Sequence, residues 1–268
     1  MGAKRKAKPE SRTKRSSERL ISMQTDLRQT LVIPAHNEEL LLPRLLDTVE
    51  VARARYSFGP DAIEVIVADN ASTDRTAEIA TARNCRVVPV AKRVIAAARN
   101  GGAAHANSPI LAFVDADTQI HPDTFNGIER ALADGRIVGG ATGVTLERWS
   151  FGLAVTYATL LPMVLITGMD TGVVFCRRSD FTEVGGYDER RLAAEDVAFL
   201  WALKRLGWSR RQRLTRLRPI KAVASTRKFD RYGDWHYFHH MARLAVAVFD
   251  YPRATDAFLR KYWYDDRG

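Results

Sequence analysis

Short apolar runs alternate with amphipathic stretches through the first half of this 268-residue chain. Gln29-Thr30-Leu31-Val32-Ile33-Pro34 reads as a strand, since its apolar run is continuous and Pro34, which has no N–H, ends the ladder. Leu42, Leu45, Leu46 and Val49 then recur at helical spacing, and Asn37 is placed to cap that helix. A second strand is predicted over 63–68. Behind it, Asp69-Asn70-Ala71-Ser72-Thr73-Asp74 leads into a helix over 75–83 that Ser72 or Thr73 would cap. A third strand over 85–90 precedes a helix around 95–106. The fourth, Leu111-Ala112-Phe113-Val114, runs into Asp115-Ala116-Asp117. Strand and helix in strict alternation predict an α/β fold with a parallel, doubly wound sheet.

Beyond Arg136 the alternation weakens. A strand over 138–145 carries Gly139, Gly140 and Gly143, which mark bulges or close backbone approach. Phe151 to Met169 is a 19-residue run without charge, long enough to span a membrane. Pro162 would break a helix at its middle, and a span would split one domain across the bilayer. A buried or membrane-facing helix is therefore expected. Gly172 to Arg178 reads as a strand, Val184-Gly185-Gly186-Tyr187-Asp188-Glu189 as a turn, and Ala194 to Leu203 as an amphipathic helix with Glu195 and Asp196 in its first turn. From Lys204 to Lys221 there are eight basic residues and no acid, the pattern of an exposed edge strand or of a surface for phosphate or anionic lipid. A further helix over about 234–249, with Tyr237, Met241, Leu244 and Val248 on one face, is followed by Tyr262, Trp263 and Tyr264, suited to a membrane interface.

Ligands of doubly wound sheets bind outside the carboxyl ends of the strands. Here those ends supply Asn37, Glu38, Asp69, Asp115 and Asp117. Neither Gly-x-Gly-x-x-Gly after the first strand nor a P-loop occurs, which removes the main support for dinucleotide and P-loop chemistry. In extended chain, Asp115 and Asp117 would face the same way, and their repulsion makes sense with a divalent cation between them and a bound phosphate. The same pair would also simply close a turn before the helix that His121-Pro122-Asp123 opens.

Charge and cysteine content refine this picture. The net charge is +10, and residues 1–28 hold nine basic residues against three acids. Residues 1–27 are thus expected to form a basic disordered tail, a solvated extension or a tether to anionic lipid or nucleic acid. No apolar signal-peptide core accompanies it. Only Cys85 and Cys176 are present, far apart, which argues for a reducing compartment and against a disulfide or cysteine-metal framework.

Taken in order, Val32 to Glu39, Val67 to Asp74, Arg99-Asn100-Gly101-Gly102, Asp115-Ala116-Asp117, and Val184 to Glu189 leading to Glu195-Asp196 resemble the family 2 glycosyltransferases of the GT-A fold. The resemblance covers roughly residues 28–232, leaving 233–268 as an amphipathic helix and tail. It implies a single main domain with a mostly parallel, Rossmann-like sheet flanked by helices. The activity it implies is inverting transfer of one sugar from a UDP- or GDP-sugar to an acceptor hydroxyl. By the same resemblance Pro34, Ala35, Asn37 and Glu38 line the nucleoside pocket and Asp69 accepts a hydrogen bond from the base. Arg99 approaches base or diphosphate and Asp115 the ribose. Asp117, with Asp115, holds Mn²⁺ or Mg²⁺. Gly172 lies on the acceptor side, and Asp196 is the catalytic base with Glu195 beside it.

Two departures stand out. Many relatives complete the metal site with a His after the basic strand, where this chain has Ser225-Thr226-Arg227; His239 or His240 is a substitute. The multi-span segment and the Gln-x-x-Arg-Trp motif of processive synthases are absent, which favours transfer of a single sugar. The expected acceptor is a glycan, a lipid-linked intermediate or a small molecule. The expected location is cytoplasmic, peripheral to the anionic inner face of the membrane, with no specific nucleic acid partner. A non-catalytic nucleotide-sugar-binding protein of the same fold is the rival reading; a nucleotidyltransferase would show a Gly-rich, basic loop where Pro34-Ala35-His36-Asn37 stands.

Overall fold

The computed structural model describes residues 27–235 except 168 and 193, with the side chains of 160–167 also left aside. The basic tail over 1–26, the body of the helix expected over 234–249, His239, His240 and the aromatic run at 262–264 lie outside the described residues.

Eight described strands form one sheet: β1 (Gln29–Ala35), β2 (Ile63–Asp69), β3 (Arg86–Pro89), β4 (Ile110–Phe113), β5 (Thr118–Gln119), β6 (Ile137–Leu146), β7 (Val174–Arg177) and β8 (Arg213–Ala224). Their order is β3-β2-β1-β4-β7-β6-β8-β5. The first four are parallel, with Ala35 of β1 level with Asp69 of β2 and Val32 level with Phe113 of β4. Here lies the predicted doubly wound half. Beyond β4 the sheet turns mixed: β7 is antiparallel to β4 and β6, β8 is parallel to β6, and β5 is antiparallel to β8.

Helices cover both faces. They are α1 (Leu42–Ala54), α2 (Thr76–Ala82), α3 (Ile95–Ala104), α4 (Thr124–Ala133), α5 (Phe151–Thr167), α6 (Arg178–Val184), α7 (Glu195–Ser209) and α8 (Arg227–Tyr232). Because neighbouring strand residues point to opposite faces, Leu31 and Ile33 pack with Leu42, Leu45 and Phe125, while Val32 and Phe113 pack with Ala96, Phe199 and Leu203. Both faces are dry, and that explains the unbroken apolar runs of the parallel strands.

Several local expectations are corrected. Asn37 does not cap α1: the chain makes an extra turn after β1, the helix starts at Leu42 without a side-chain cap, and Asn37 sits in the left-handed region at φ 51°. Neither Ser72 nor Thr73 caps α2; the Asp74 carboxylate accepts the Thr76 N–H at 2.9 Å instead. Pro162 does not end α5, which runs unbroken from Phe151 to Thr167. A proline removes one helical donor, and the turns on either side still close around it. Among the described residues no helix is long and apolar enough to cross a membrane.

The glycines of β6 do mark irregular pairing. The β6–β8 register shifts between Ile137 and Gly139 and again between Thr142 and Gly143. A Cβ on Gly140 would lie 2.0 Å from the Thr215 carbonyl oxygen. β8 is an edge strand over most of its length, since β5 pairs only with Val223 and Ala224.

Candidate active site

The carboxyl ends of β1 and β2 are zipped together by short polar side chains. Thr73 N donates to Asn37 Oδ1 at 2.8 Å, Glu38 N to Thr76 Oγ1 at 2.8 Å, Glu39 N to Asp74 Oδ2 at 3.0 Å and Ser72 N to Asp69 Oδ1 at 3.1 Å. Asn37 (φ 51°) and Ala71 (φ 60°) are both left-handed, a conformation that disfavours L-residues by roughly 1–2 kcal/mol each. The structure thus brings Pro34, Ala35, Asn37, Glu38 and Asp69 to one rim. Strain gathers where two loops are pulled together, as it does at functional sites.

β4 ends at Phe113, and the chain then tightens: Thr118 N donates to the Asp115 carbonyl at 3.0 Å, closing a turn. Asp115 and Asp117 are therefore not an extended i, i+2 pair. Each meets a different guanidinium. Arg99 Nη2 donates to Asp115 Oδ1 at 2.7 Å, whereas Arg227 Nη2 lies 3.5 Å from Asp117 Oδ2. Both terminal nitrogens of Arg227 also fork onto Glu38, at 3.0 and 2.9 Å.

Arg99 is the centre of the arrangement. It projects from α3, its side chain is only 3% exposed, and besides Asp115 it reaches Glu195 Oε1 at 2.9 Å and Asp196 Oδ1 at 2.8 Å. The Asp196 contact is an ion pair without aligned hydrogen-bond geometry. Arg99 also lies 5.0 Å above the buried Tyr187 ring, which itself stacks on Phe199 at 4.3 Å. Burial opposes charge on Arg99, but the surrounding acids, Asp196 and Asp115 foremost, hold the guanidinium protonated well above its ordinary range.

Asn100 supplies the link between α3 and the turn after α6. Tyr187 N donates to Asn100 Oδ1 and Asn100 Nδ2 donates to the Tyr187 carbonyl, both at 2.9 Å. Gly185 and Gly186 are left-handed there, at φ 83° and 71°. The segment then reaches Ala194, left-handed at φ 57°, from which α7 begins with Glu195 and Asp196. Asp196 stays largely enclosed, with 17% of its side chain exposed. Burial, opposed by Arg99 and reinforced by the charges of Glu195 and Asp115, pushes its carboxyl up to about 7. Gly172 lies just before β7, whose Val174 is level with Phe113 at the end of β4, and a Cβ there would come within 2.4 Å of Thr142 Oγ1 and 2.7 Å of the Gly143 carbonyl oxygen.

Mn²⁺ or Mg²⁺ at Asp115 and Asp117 fits the donor chemistry. Glu38, Asp115, Asp117, Glu195 and Asp196 stand against two guanidinium groups, Arg99 and Arg227. That excess of hard, negative oxygen suits a hard dication. Such ions take one or two carboxylates and complete their shell with substrate phosphate oxygens. Among the described residues no three His, Cys, Asp or Glu side chains cluster as a closed metal cage.

Sequence reasoning noted Arg227 only as part of Ser225-Thr226-Arg227, where many relatives carry a His, and gave it no role. Its partners precede it by more than a hundred positions, and only its place directly behind the basic strand marks it. It missed Asp170, 5% exposed and ion-paired with Arg216 of β8. Nothing in the spacing of those two residues announces the contact.

An open α/β sheet with its acidic and guanidinium groups gathered at the carboxyl edge, continued by a mixed half that bears a second acidic pair, defines the GT-A class of glycosyltransferase fold. The chain belongs to glycosyl transferase family 2, whose family profile matches residues 30–192. It is similar to the validoxylamine A glucosyltransferase of Streptomyces hygroscopicus subsp. limoneus, with 35% identity over 111 residues, 39% of this chain and 23% of that relative. The chain thus spans about a quarter of the length of that protein. In structure it resembles the mannosyltransferase PcManGT of Pyrobaculum calidifontis in complex with GDP-Man and Mn²⁺, with a TM-score of 0.65 and 20% identity over 88% of this chain and 68% of that one. It likewise resembles glucosyl-3-phosphoglycerate synthase of Mycobacterium tuberculosis in complex with Mn²⁺, UDP and phosphoglyceric acid, with a TM-score of 0.56 and 19% identity over 87% and 82% of the two chains.

Proposed function

We propose that this protein is an inverting glycosyltransferase that moves one sugar from a UDP- or GDP-sugar to an acceptor hydroxyl. The observation that carries the reading is the buried guanidinium of Arg99, which joins Asp115 at the end of the parallel half to Asp196 at the start of α7. Groups suited to the leaving nucleotide and a group suited to the incoming alcohol are thereby joined through one guanidinium.

In this reading the acceptor oxygen attacks the anomeric carbon as its proton passes to the Asp196 carboxylate. The bond from that carbon to the phosphate oxygen breaks, its electron pair leaves with the nucleoside diphosphate, and configuration inverts. A carboxyl held near 7 is matched to taking up a proton at neutral pH. Pro34, Ala35, Asn37, Glu38 and Asp69 line the nucleoside side, Asp115 meets the ribose, and Gly172 faces the acceptor. Mn²⁺ or Mg²⁺ held by Asp117, with Asp115, would supply positive charge to the departing diphosphate.

The acceptor class is a glycan, a lipid-linked intermediate or a small molecule. Contact with an anionic membrane surface is supported by the charge-free α5 and by Trp149, Phe151 and Trp235, which are 52%, 79% and 46% exposed. In this reading the enzyme works at the cytoplasmic face of the membrane.

Incubation with a panel of UDP- and GDP-sugars, with Mn²⁺, with Mg²⁺ and with chelator, tests the proposal. Release of nucleoside diphosphate from at least one donor is expected, together with a product of opposite anomeric configuration by NMR. Tight nucleotide-sugar binding without any turnover would instead favour the non-catalytic binding protein.

A further inference from the structure

Arg99 has no surface to offer a nucleotide. Its side chain is 3% exposed, and both terminal nitrogens are committed: Nη2 to Asp115 at 2.7 Å, Nη1 to Glu195 at 2.9 Å and to Asp196 at 2.8 Å. The Tyr187 ring closes one side of the guanidinium. Asn100 then pins the backbone of Tyr187 from both directions.

The three carboxylates come from two places. Asp115 lies in the turn between β4 and β5, and Glu195 and Asp196 form the first turn of α7. Ala194, directly before them, is left-handed at φ 57°, so the backbone that presents Asp196 is held against its own preference. Something must fix that turn, and Arg99 is the group that reaches it.

The geometry points to Arg99 as a positioning residue: it fixes the Asp196 carboxylate at a set distance from Asp115, and it does so without touching the donor. This inference rests on the glycosyl-transfer reading and replaces the expectation that Arg99 binds base or diphosphate. Glu195 is then a strut, not a second base, because it is 8% exposed and its Oε1 is occupied by Arg99 Nη1. Among the described residues, the groups that act most strongly on the Asp196 charge belong to this set: Arg99 from α3, Glu195 on α7 itself, Asp115 from the turn after β4 and Tyr187 from the turn after α6.

The two roles predict opposite kinetic signatures. A donor-binding arginine would be lost in nucleotide affinity and KM. A positioning arginine is lost in kcat, and displacement of a catalytic group by about 1 Å costs on the order of 100-fold. The experiment compares wild type, Arg99→Lys and Glu195→Gln by calorimetric titration with UDP and GDP in the presence of Mn²⁺, and by donor turnover at saturation. Both variants are expected to bind nucleotide within threefold of wild type while kcat falls by on the order of 100-fold in Arg99→Lys and on the order of tenfold in Glu195→Gln. Loss of nucleotide affinity in Arg99→Lys with kcat preserved would overturn the inference, as would unchanged kcat in both variants. Should Arg99→Lys fail to fold, Glu195→Gln decides by the same two measurements, since it removes a strut and leaves the buried cation in place. A wild type that turns over no donor sinks the transferase reading itself, whereas an active wild type with a donor-binding defect in the variants sinks only this one.

Discussion

Arg227 forks onto Glu38 across 189 positions of sequence, its two terminal nitrogens 2.9 and 3.0 Å from the carboxylate oxygens. The first residue of α8, three positions past the end of β8, thereby closes over the loop that follows β1. Glu38 is only 2% exposed and Arg227 is 38% exposed, so the pair is half-screened. Burial works against the Arg227 charge, and the bonds to Glu38 raise its pKa in spite of it. Arg227→Ala takes both charge-assisted hydrogen bonds from an enclosed carboxylate. The expected loss is roughly 1–3 kcal/mol, below the full cost of breaking a fully buried pair because one partner reaches solvent. Glu38→Gln in the Arg227→Ala background should restore part of it. A double-mutant cycle in urea checks this, and additive losses would show that the two side chains do not interact in solution.

Asp196 supplies the second prediction. A general base works only when deprotonated, and its carboxyl is pushed up to about 7 by burial. Turnover should therefore fall on the acid side with a midpoint near pH 7, steepening to about tenfold per unit below it. Asp196→Asn should retain nucleotide-sugar binding and lose on the order of 10²–10⁴ in turnover. A kcat profile from pH 5.5 to 9 decides. An acid limb centred near 4 in wild type, or near-wild-type turnover in the variant, would place the base elsewhere.

The same perturbation has a thermodynamic sign. A carboxyl whose folded pKa lies above its unfolded value binds its proton more tightly in the native state. Its contribution to stability is complete below the ordinary carboxylate range and disappears as pH rises through about 7. Above that point wild type carries an enclosed charge that Asp196→Asn lacks. The variant should be more stable than wild type at pH 8, and the gain should shrink steadily toward pH 5. Denaturant titrations at several pH values test it. A constant difference would mean that Asp196 titrates alike in the folded and unfolded chain.

Much of this architecture is legible in the sequence because period and punctuation are local. The continuous apolar runs at Leu31, Val65 and Leu111 mark strands buried on both faces, and Glu195 and Asp196 do open a helix. What fails is also local in cause. Asn37 looks like a cap because it follows a strand and precedes an apolar stripe, yet an intervening turn gives its side chain to Thr73 instead. Pro162 looks like a helix breaker, and α5 continues through it. The site is harder to read. Arg99 stands in a motif that suggests nucleotide contact, but its partners are 16 and 96 positions away. Such distances are set by how β4 and α7 pack on α3, and no spacing rule reports them. Arg227 is hidden for the same reason.

Gly172 carries the last prediction. It is not in a left-handed conformation; what requires glycine is space, because a Cβ there would sit 2.4 Å from Thr142 Oγ1 and 2.7 Å from the Gly143 carbonyl oxygen. The Thr142 hydroxyl is engaged too, accepting the Val173 N–H at 2.8 Å. Gly172→Ala must therefore move the segment before β7 away from β6, at a cost of roughly 1–3 kcal/mol for an overpacked site. Thr142→Ala should not rescue it, because the Gly143 carbonyl remains in the way. If this segment faces the acceptor, the displacement should raise acceptor KM several-fold and leave donor KM and acceptor-independent donor hydrolysis near wild type. Initial-rate measurements with each substrate varied in turn separate the two. A rise confined to donor KM would assign the segment to the nucleotide side of the cleft.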